Sequence, residues 1–150
     1  MPGSKIGIRT TSIVPGGVTT ISNTALANVT GLTFSVLANT EWLLVFNIPF
    51  STGATGGAKF QVIAPATTVY LNNWALYLAG TPGTLADTAV QSASAAFSNA
   101  LAAAASHLMT ATCYIKTSAA GTVGLQFAQN SSVAATLTIL QGGSMQVYSY

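Results

Sequence analysis

The chain has 150 residues, of which 50% are hydrophobic and 4% are charged, and its formal net charge is +2 at pH 7. Typical soluble domains are roughly 25% charged. Disordered chains combine low hydrophobicity with high net charge, so this composition indicates a folded protein. The four Lys and Arg residues are scattered and form no basic stripe, so we expect no nucleic-acid partner. The longest strongly apolar run, WLLVF at 42–46, is far shorter than the roughly 20 residues of a membrane-spanning helix, and we expect no membrane partner.

The length fits a single domain, and we divide the chain into an N-terminal arm at 1–16 and one β domain at 17–150. The arm ends in the turn-forming sequence PGG at 15–17. Because so short a segment cannot fold by itself, we expect it to be disordered in the free protein and to be ordered by a partner, as an added strand at a sheet edge. Its candidate attachment residues are two cations and two alternating isoleucines: Lys5, Ile6, Ile8 and Arg9.

Alternating apolar and polar residues, which are typical of antiparallel strands, recur through the rest of the chain. In GLTFSV, Leu32, Phe34 and Val36 share one face. EWLLVFNIPF is apolar on both faces, which predicts a strand that is covered on both sides. Alternation continues in AKFQVIAP, TTVYLNNWALYL, HLMTATCYIK, TVGLQFAQ, VAATLTIL and GSMQVYSY. The pattern predicts an all-β fold of about eight strands, an antiparallel β-sandwich of the jelly-roll type.

The segment LADTAVQSASAAFSNALAAAAS, at 85–106, does not alternate clearly. Alanine has the highest helix propensity, which favours a short helix near 94–105. The alternative is an extended stretch in which alanine fits into tight spaces. The composition leaves both open and predicts at most one short helix in the fold.

Residues that carry chemistry are scarce. His107 is the only histidine, Glu41 and Asp87 are the only acidic side chains, and Cys113 is the only cysteine. A histidine-based metal site lacks a second histidine, and the chain has neither a GxSxG nucleophile motif nor a glycine-rich loop that ends in GKS or GKT. We therefore expect a protein that is not an enzyme and has no catalytic residue, metal or cofactor. The Cys113 thiol is expected to be buried as a small hydrophobic group.

Sugar binding is an alternative function, because jelly-roll proteins bind glycans through exposed aromatic side chains and through Asn or Gln amides. Trp42 lies in an alternating apolar segment and is expected in the core. Asn72, Asn73 and Trp74 are adjacent in TTVYLNNWALYL and are the candidate glycan contacts.

Two blocks of the sequence resemble a known family. ALANVTGLTFSVLANTEWLLVFNIPFSTGATGGAKFQVIAPA, at 25–66, and GTVGLQFAQNSSVAATLTILQGGSMQVYSY, at 121–150, are similar to segments of small jelly-roll virion proteins of tailed bacteriophages. The family comprises capsid decoration proteins, head fibres and fibre tips. The two blocks cover about half of the chain in the family's order. MQVYSY stands where many relatives carry an acidic residue, and 71–106 has no match.

The resemblance implies a non-enzymatic virion structural protein, made in the host cytoplasm. The implied role is a capsid decoration protein that stabilises the outside of a phage head as a homotrimer, in contact with the major capsid protein or another virion protein. The alternative is a receptor-binding, glycan-binding module of a tail or head fibre. A subunit covered by neighbours also explains the scarcity of charge, because ions in a buried interface lose their hydration.

Overall fold

The computed structural model describes residues 7–14, 16–21, 23–53, 56–78, 85–99, 101 and 105–150. Within these ranges the regular structure is entirely β, and it includes no helix that could cross a membrane. The strands form two antiparallel sheets, one eight-stranded and one four-stranded, which pack as a sandwich. The predicted fold class is confirmed.

The described part of the chain contains twelve strands, four more than the approximate number expected. Three of them have only three or four residues, too few for a clear alternating pattern. The strands are β1 (Gly7–Ile13), β2 (Val18–Ile21), β3 (Ala27–Val36), β4 (Glu41–Thr52), β5 (Ala58–Ile63), β6 (Thr67–Tyr77), β7 (Leu85–Gln91), β8 (Phe97–Asn99), β9 (Ala105–Thr117), β10 (Gly121–Ala128), β11 (Thr136–Ile139) and β12 (Ser144–Ser149).

The twelve described strands pair in a nested order. β1 pairs with β12, β2 with β11, β3 with β10, β4 with β9, β5 with β8, and β6 with β7. The larger sheet has the order β1-β12-β4-β9-β6-β7, with β11 beside β4 and β2 beside β11, and the smaller sheet has the order β3-β10-β5-β8. The chain is therefore one long antiparallel hairpin, with β6 and β7 at its tip, that folds over into two sheets. This is the jelly-roll arrangement.

The core lies between the two sheets and is tied together by aromatic pairs. Phe50 of β4 packs edge-on against Phe60 of β5, with ring centroids 5.1 Å apart. Trp74 of β6 stacks on Phe97 of β8 at 5.5 Å. Such contacts add to the hydrophobic stabilisation that burial of the rings supplies. Both pairs join a strand of the larger sheet to one of the smaller sheet, so neither sheet buries its inner face without the other.

The segment near 94–105 is extended where the structure describes it. Residues 92–94 bend, β8 follows at Phe97–Asn99, and β9 begins at Ala105. Phe97 is buried against Trp74, and β8 pairs with β5. Burial and sheet pairing outweigh the helix propensity of the alanines, so the extended alternative is correct for these residues.

The N-terminal arm contributes a strand to the domain. Gly7–Ile13 forms β1, which pairs with β12 at one edge of the larger sheet. This differs from the expectation of an arm that is disordered until a partner orders it. The physical reason is that β12 presents unpaired backbone groups at its free edge, and β1 of the same chain satisfies them.

Candidate interaction surface

The outward side of the larger sheet is the candidate functional surface. Side chains alternate along a strand, and on β4 the buried residues run from Trp42 to Thr52 in steps of two. The residues between them, from Glu41 to Ser51, point away from the core. β6, β9 and β12 show the same alternation. Their outward residues therefore form one continuous surface.

The register of the strands arranges these outward residues in four rows across the sheet. We call them the neutral face. The first row contains Tyr148, Leu43, Tyr114 and Leu71, and the second contains Gln146, Val45, Thr112, Asn73 and Val90. The third contains Ser144, Asn47, Thr110, Ala75 and Thr88, and the fourth contains Pro49, Leu108 and Tyr77. None of these residues is charged.

Large apolar side chains of the neutral face are exposed to solvent. Val90 is 80% exposed, Leu71 52%, and Tyr77 and Leu108 38% each. Leu71 and Val90 also line a shallow depression together with Leu43. Contiguous apolar surface of this kind on a folded domain marks a site of protein–protein interaction or ligand binding. EWLLVFNIPF is apolar on both sides because one side faces the core and the other belongs to this face.

Two charged side chains, Lys116 and Glu41, form an ion pair at one margin of the neutral face. Lys116 Nζ lies 2.8 Å from Glu41 Oε1, and the Tyr114 hydroxyl donates to Glu41 Oε2 at 2.9 Å. The hydrogen bonds from Lys116 and Tyr114 hold the pKa of Glu41 below its ordinary value. The bond to Glu41 raises the pKa of Lys116 and that of Tyr114. The pair is solvent-accessible and contributes little to stability, and its two charges cancel.

The structure does not bring the predicted glycan contacts together. Trp74 is fully buried, stacks on Phe97, and donates from Nε1 to Gln91 Oε1 at 2.7 Å. Asn72 is 1% exposed, and only Asn73 faces solvent. Period-two alternation places Asn72 and Trp74 on the inward side and Asn73 on the outward side. Trp74, a candidate contact of the alternative glycan-binding function, is therefore buried in the core and not available to a glycan.

The predicted attachment residues lie at the start of the chain. Lys5 and Ile6 are outside the described residues. Ile8 and Arg9 belong to β1, with side chains outside what the structure describes. Their role in attachment stays a prediction.

The remaining titratable side chains form no reactive group in the described part of the chain. Cys113 is fully buried, as expected, and desolvation raises the pKa of its thiol to about 12. His107 is 6% exposed and packs against Phe50, with ring centroids 5.4 Å apart. Asp87 accepts a hydrogen bond from Asn99 at 3.1 Å. Among the described residues, no three His, Cys, Asp or Glu side chains are close enough to hold a metal ion.

No protein-family model matches the chain, and no curated protein sequence matches it. It is similar to solved structures of the infectious bursal disease virus Gx strain (14% identity, TM-score 0.26), the VP2 subviral particle of that virus (9%, 0.25) and its Gt strain (12%, 0.23). Each similarity covers 97% of this chain but only 40% or 41% of the viral chain, so the chain spans about two fifths of their length. Identities and TM-scores this low identify no family for the chain.

The neutral face could not be recognised from the sequence as one surface. Leu71, Val90 and Leu108 lie on three different strands, and the register of β6, β7 and β9 brings them to the same side of the sheet. The available signal was the second apolar side of EWLLVFNIPF, which indicated that something besides the core covers β4.

Proposed function

We propose that the protein is a non-enzymatic structural component of a virion. In this proposal it is a capsid decoration protein that binds the outside of a tailed-phage head as a homotrimer. The resemblance of 25–66 and 121–150 to small jelly-roll virion proteins supports the class of protein. The observation that carries the proposal is the neutral face, because it gives the domain a large uncharged surface suited to permanent contact with other protein.

Neighbouring subunits of the trimer cover the neutral face in this proposal. Covering the exposed side chains of Val90 and Leu71 with another protein stabilises the complex, because it removes apolar surface from water. Thr and Asn side chains in the middle rows can exchange hydrogen bonds with a neighbour, and no ion has to lose its hydration. A three-fold arrangement closes on itself, which limits assembly to a discrete particle.

The N-terminal residues attach the trimer to the head in this proposal. β1 is an edge strand of the larger sheet, at the opposite end from β7, and it pairs with β12, which contributes residues to the neutral face. Lys5 and Arg9 would contact acidic groups on the shell. Attachment through exposed charges of this kind weakens as salt concentration rises.

Sedimentation velocity of the purified chain tests the assembly. The expected result is a single species with three times the mass of the chain at micromolar concentration. A stable monomer at that concentration would contradict the proposal.

Co-sedimentation with heads of the phage that encodes the chain tests the role. Heads that carry the protein are expected to resist heat better than bare heads. Replacing Lys5 and Arg9 together by serine should weaken binding to heads and reduce its salt dependence while the trimer persists. Lys59→Ser, which removes a cation from β5, is the control and should bind like the wild type. Equal binding by the wild type, the double variant and Lys59→Ser would show that Lys5 and Arg9 do not attach the protein to the head.

A further inference from the structure

Five strands lie at the edges of the two sheets in the described part of the chain, where backbone N–H and C=O groups are available to another strand. β2 and β8 have only four and three residues. β1 and β3 have irregular register, between Ile8 and Thr10 in β1 and opposite Gly124 and Gln126 in β3. Short length and bulges both discourage further strand pairing. These four edges are therefore protected.

The edge of β7 lacks both kinds of protection over residues 87–91, which we call the β7 edge. These residues pair with β6 in unbroken register from Asp87 to Gln91, and the irregularity lies before them. β7 contains neither proline nor lysine, which commonly block an edge. Val90 adds an apolar side chain that is 80% exposed. The β7 edge is therefore a regular template on which another strand could pair.

Asp87 is the one charged residue of the β7 edge, and each of its carboxylate oxygens accepts a hydrogen bond. Oδ1 accepts the backbone N–H of Thr88 at 2.8 Å, and Oδ2 accepts Asn99 Nδ2 of β8 at 3.1 Å. The first bond occupies a backbone donor of β7, and the second ties the last strand of the larger sheet to the last strand of the smaller sheet. A strand arriving at the edge would have to displace the carboxylate and take the ion out of water, which costs free energy. The chain has only two acidic side chains, and one of them stands at this edge.

We propose that Asp87 blocks the β7 edge, and that the strand this edge accepts when the carboxylate is removed is β7 of a second copy of the chain. Antiparallel pairing centred on Ala89 would place Thr88 opposite Val90 of the second copy, twice by symmetry. Both side chains are exposed, and such pairs of β-branched residues stabilise antiparallel strands. This inference does not depend on the decoration role, because the added strand lies in the plane of the sheet and not on the neutral face.

Sedimentation of the full chain over a range of concentrations tests the block. Asp87→Ser removes the carboxylate and should associate beyond the wild-type size, with an apparent Kd about 10-fold lower. Asp87→Asn keeps the shape of the side chain without its charge and should lie between the two. Asn99→Ser is the matched control, because it removes the same bond to β8 but leaves the carboxylate in place, and it should sediment like the wild type.

Circular dichroism checks that each variant keeps its strands. Wild-type sedimentation of both Asp87 variants would overturn the proposal. Equal association of Asp87→Ser and Asn99→Ser would also overturn it, because loss of the tie to β8 would then be the cause.

Cysteine cross-linking identifies the strand that pairs. Ala89→Cys in the Asp87→Ser background should give covalent pairs of chains under mild oxidation, because the two central Cα atoms of an antiparallel pair lie about 5 Å apart, within reach of a disulfide. Thr33→Cys in the same background is the control, since Thr33 is exposed on β3 at the edge of the smaller sheet. Cys113 is buried and should not react. Cross-linking of Ala89→Cys that is no more efficient than that of Thr33→Cys would overturn the assignment to β7.

Discussion

The outward sides of the two sheets differ in chemistry although both sheets are built from alternating strands. On the smaller sheet, the outward positions of β3, β5 and β10 are mostly polar, and Gln126 Nε2 donates across the strands to Asn28 Oδ1 at 3.0 Å. Gln61 Nε2 similarly donates to Ser94 Oγ at 3.0 Å. On the larger sheet, the outward rows contain exposed Leu71 and Val90.

This difference shows that folding and assembly make different demands on a sheet: folding requires an apolar inner side, and assembly requires an apolar outer side. Both sheets need an apolar inner side, because that side forms the core. An apolar outer side contributes nothing to the fold of an isolated domain, and only the larger sheet has one. The smaller sheet is suited to contact with water, and the larger sheet is suited to contact with protein.

The largest expected effect comes from the inner side that both sheets share. Trp74→Ala should destabilise the domain by about 3–5 kcal/mol, because it leaves a cavity against Phe97 and leaves Gln91 without its indole partner. Asn73→Ala, one residue away on the outward side, should change the free energy of unfolding by less than about 0.5 kcal/mol. Urea unfolding followed by circular dichroism measures both. Similar effects of the two substitutions would contradict the assignment of inner and outer sides.

A new charge should distinguish the two outer sides. Thr112 and Thr122 are both exposed, on the larger and the smaller sheet respectively. Thr112→Lys should weaken assembly by about 3 kcal/mol, roughly 100-fold, because an unpaired ion would be buried between subunits. Thr122→Lys is the matched control and should assemble like the wild type. Sedimentation across a range of concentrations measures the difference, and equal behaviour of the two variants would show that the neutral face is not the interface.

The smallest expected effect concerns the ion pair at the margin of the neutral face. The pKa of Glu41 is lowered in the folded protein from its ordinary value of 4.5, so its contribution to stability is present above that pH. The contribution is lost as the pH falls through the folded-state pKa. Thermal unfolding should therefore show the wild type slightly more stable than Glu41→Gln at neutral pH, with the difference vanishing in acid. A difference that is the same at pH 7 and at strongly acidic pH would show that charge on Glu41 is not its source.

Side-chain alternation and composition were sufficient to predict the fold class. Alternation in segments such as GLTFSV and TVGLQFA depends on local period alone, and the structure places these segments in β3 and β10. Strand number was harder to predict, because β2, β8 and β11 are shorter than the window in which a period can be detected. The three candidate glycan contacts do not share a surface, because Asn72 and Trp74 lie on the inward side of one strand and Asn73 lies on its outward side.

The sequence by itself determined that this is an all-β domain with too few charges for an ordinary solvated surface, since both properties follow from residue type and local spacing. The tertiary structure decided how the strands pair, that Phe97–Asn99 is a strand, and which residues share a surface. Those outcomes depend on contacts between residues far apart in the chain. Leu43, Leu71 and Val90 form one surface, and Ser35 and Tyr150 line one pocket, because nested pairing brings distant strands together. A local sequence pattern cannot predict that proximity.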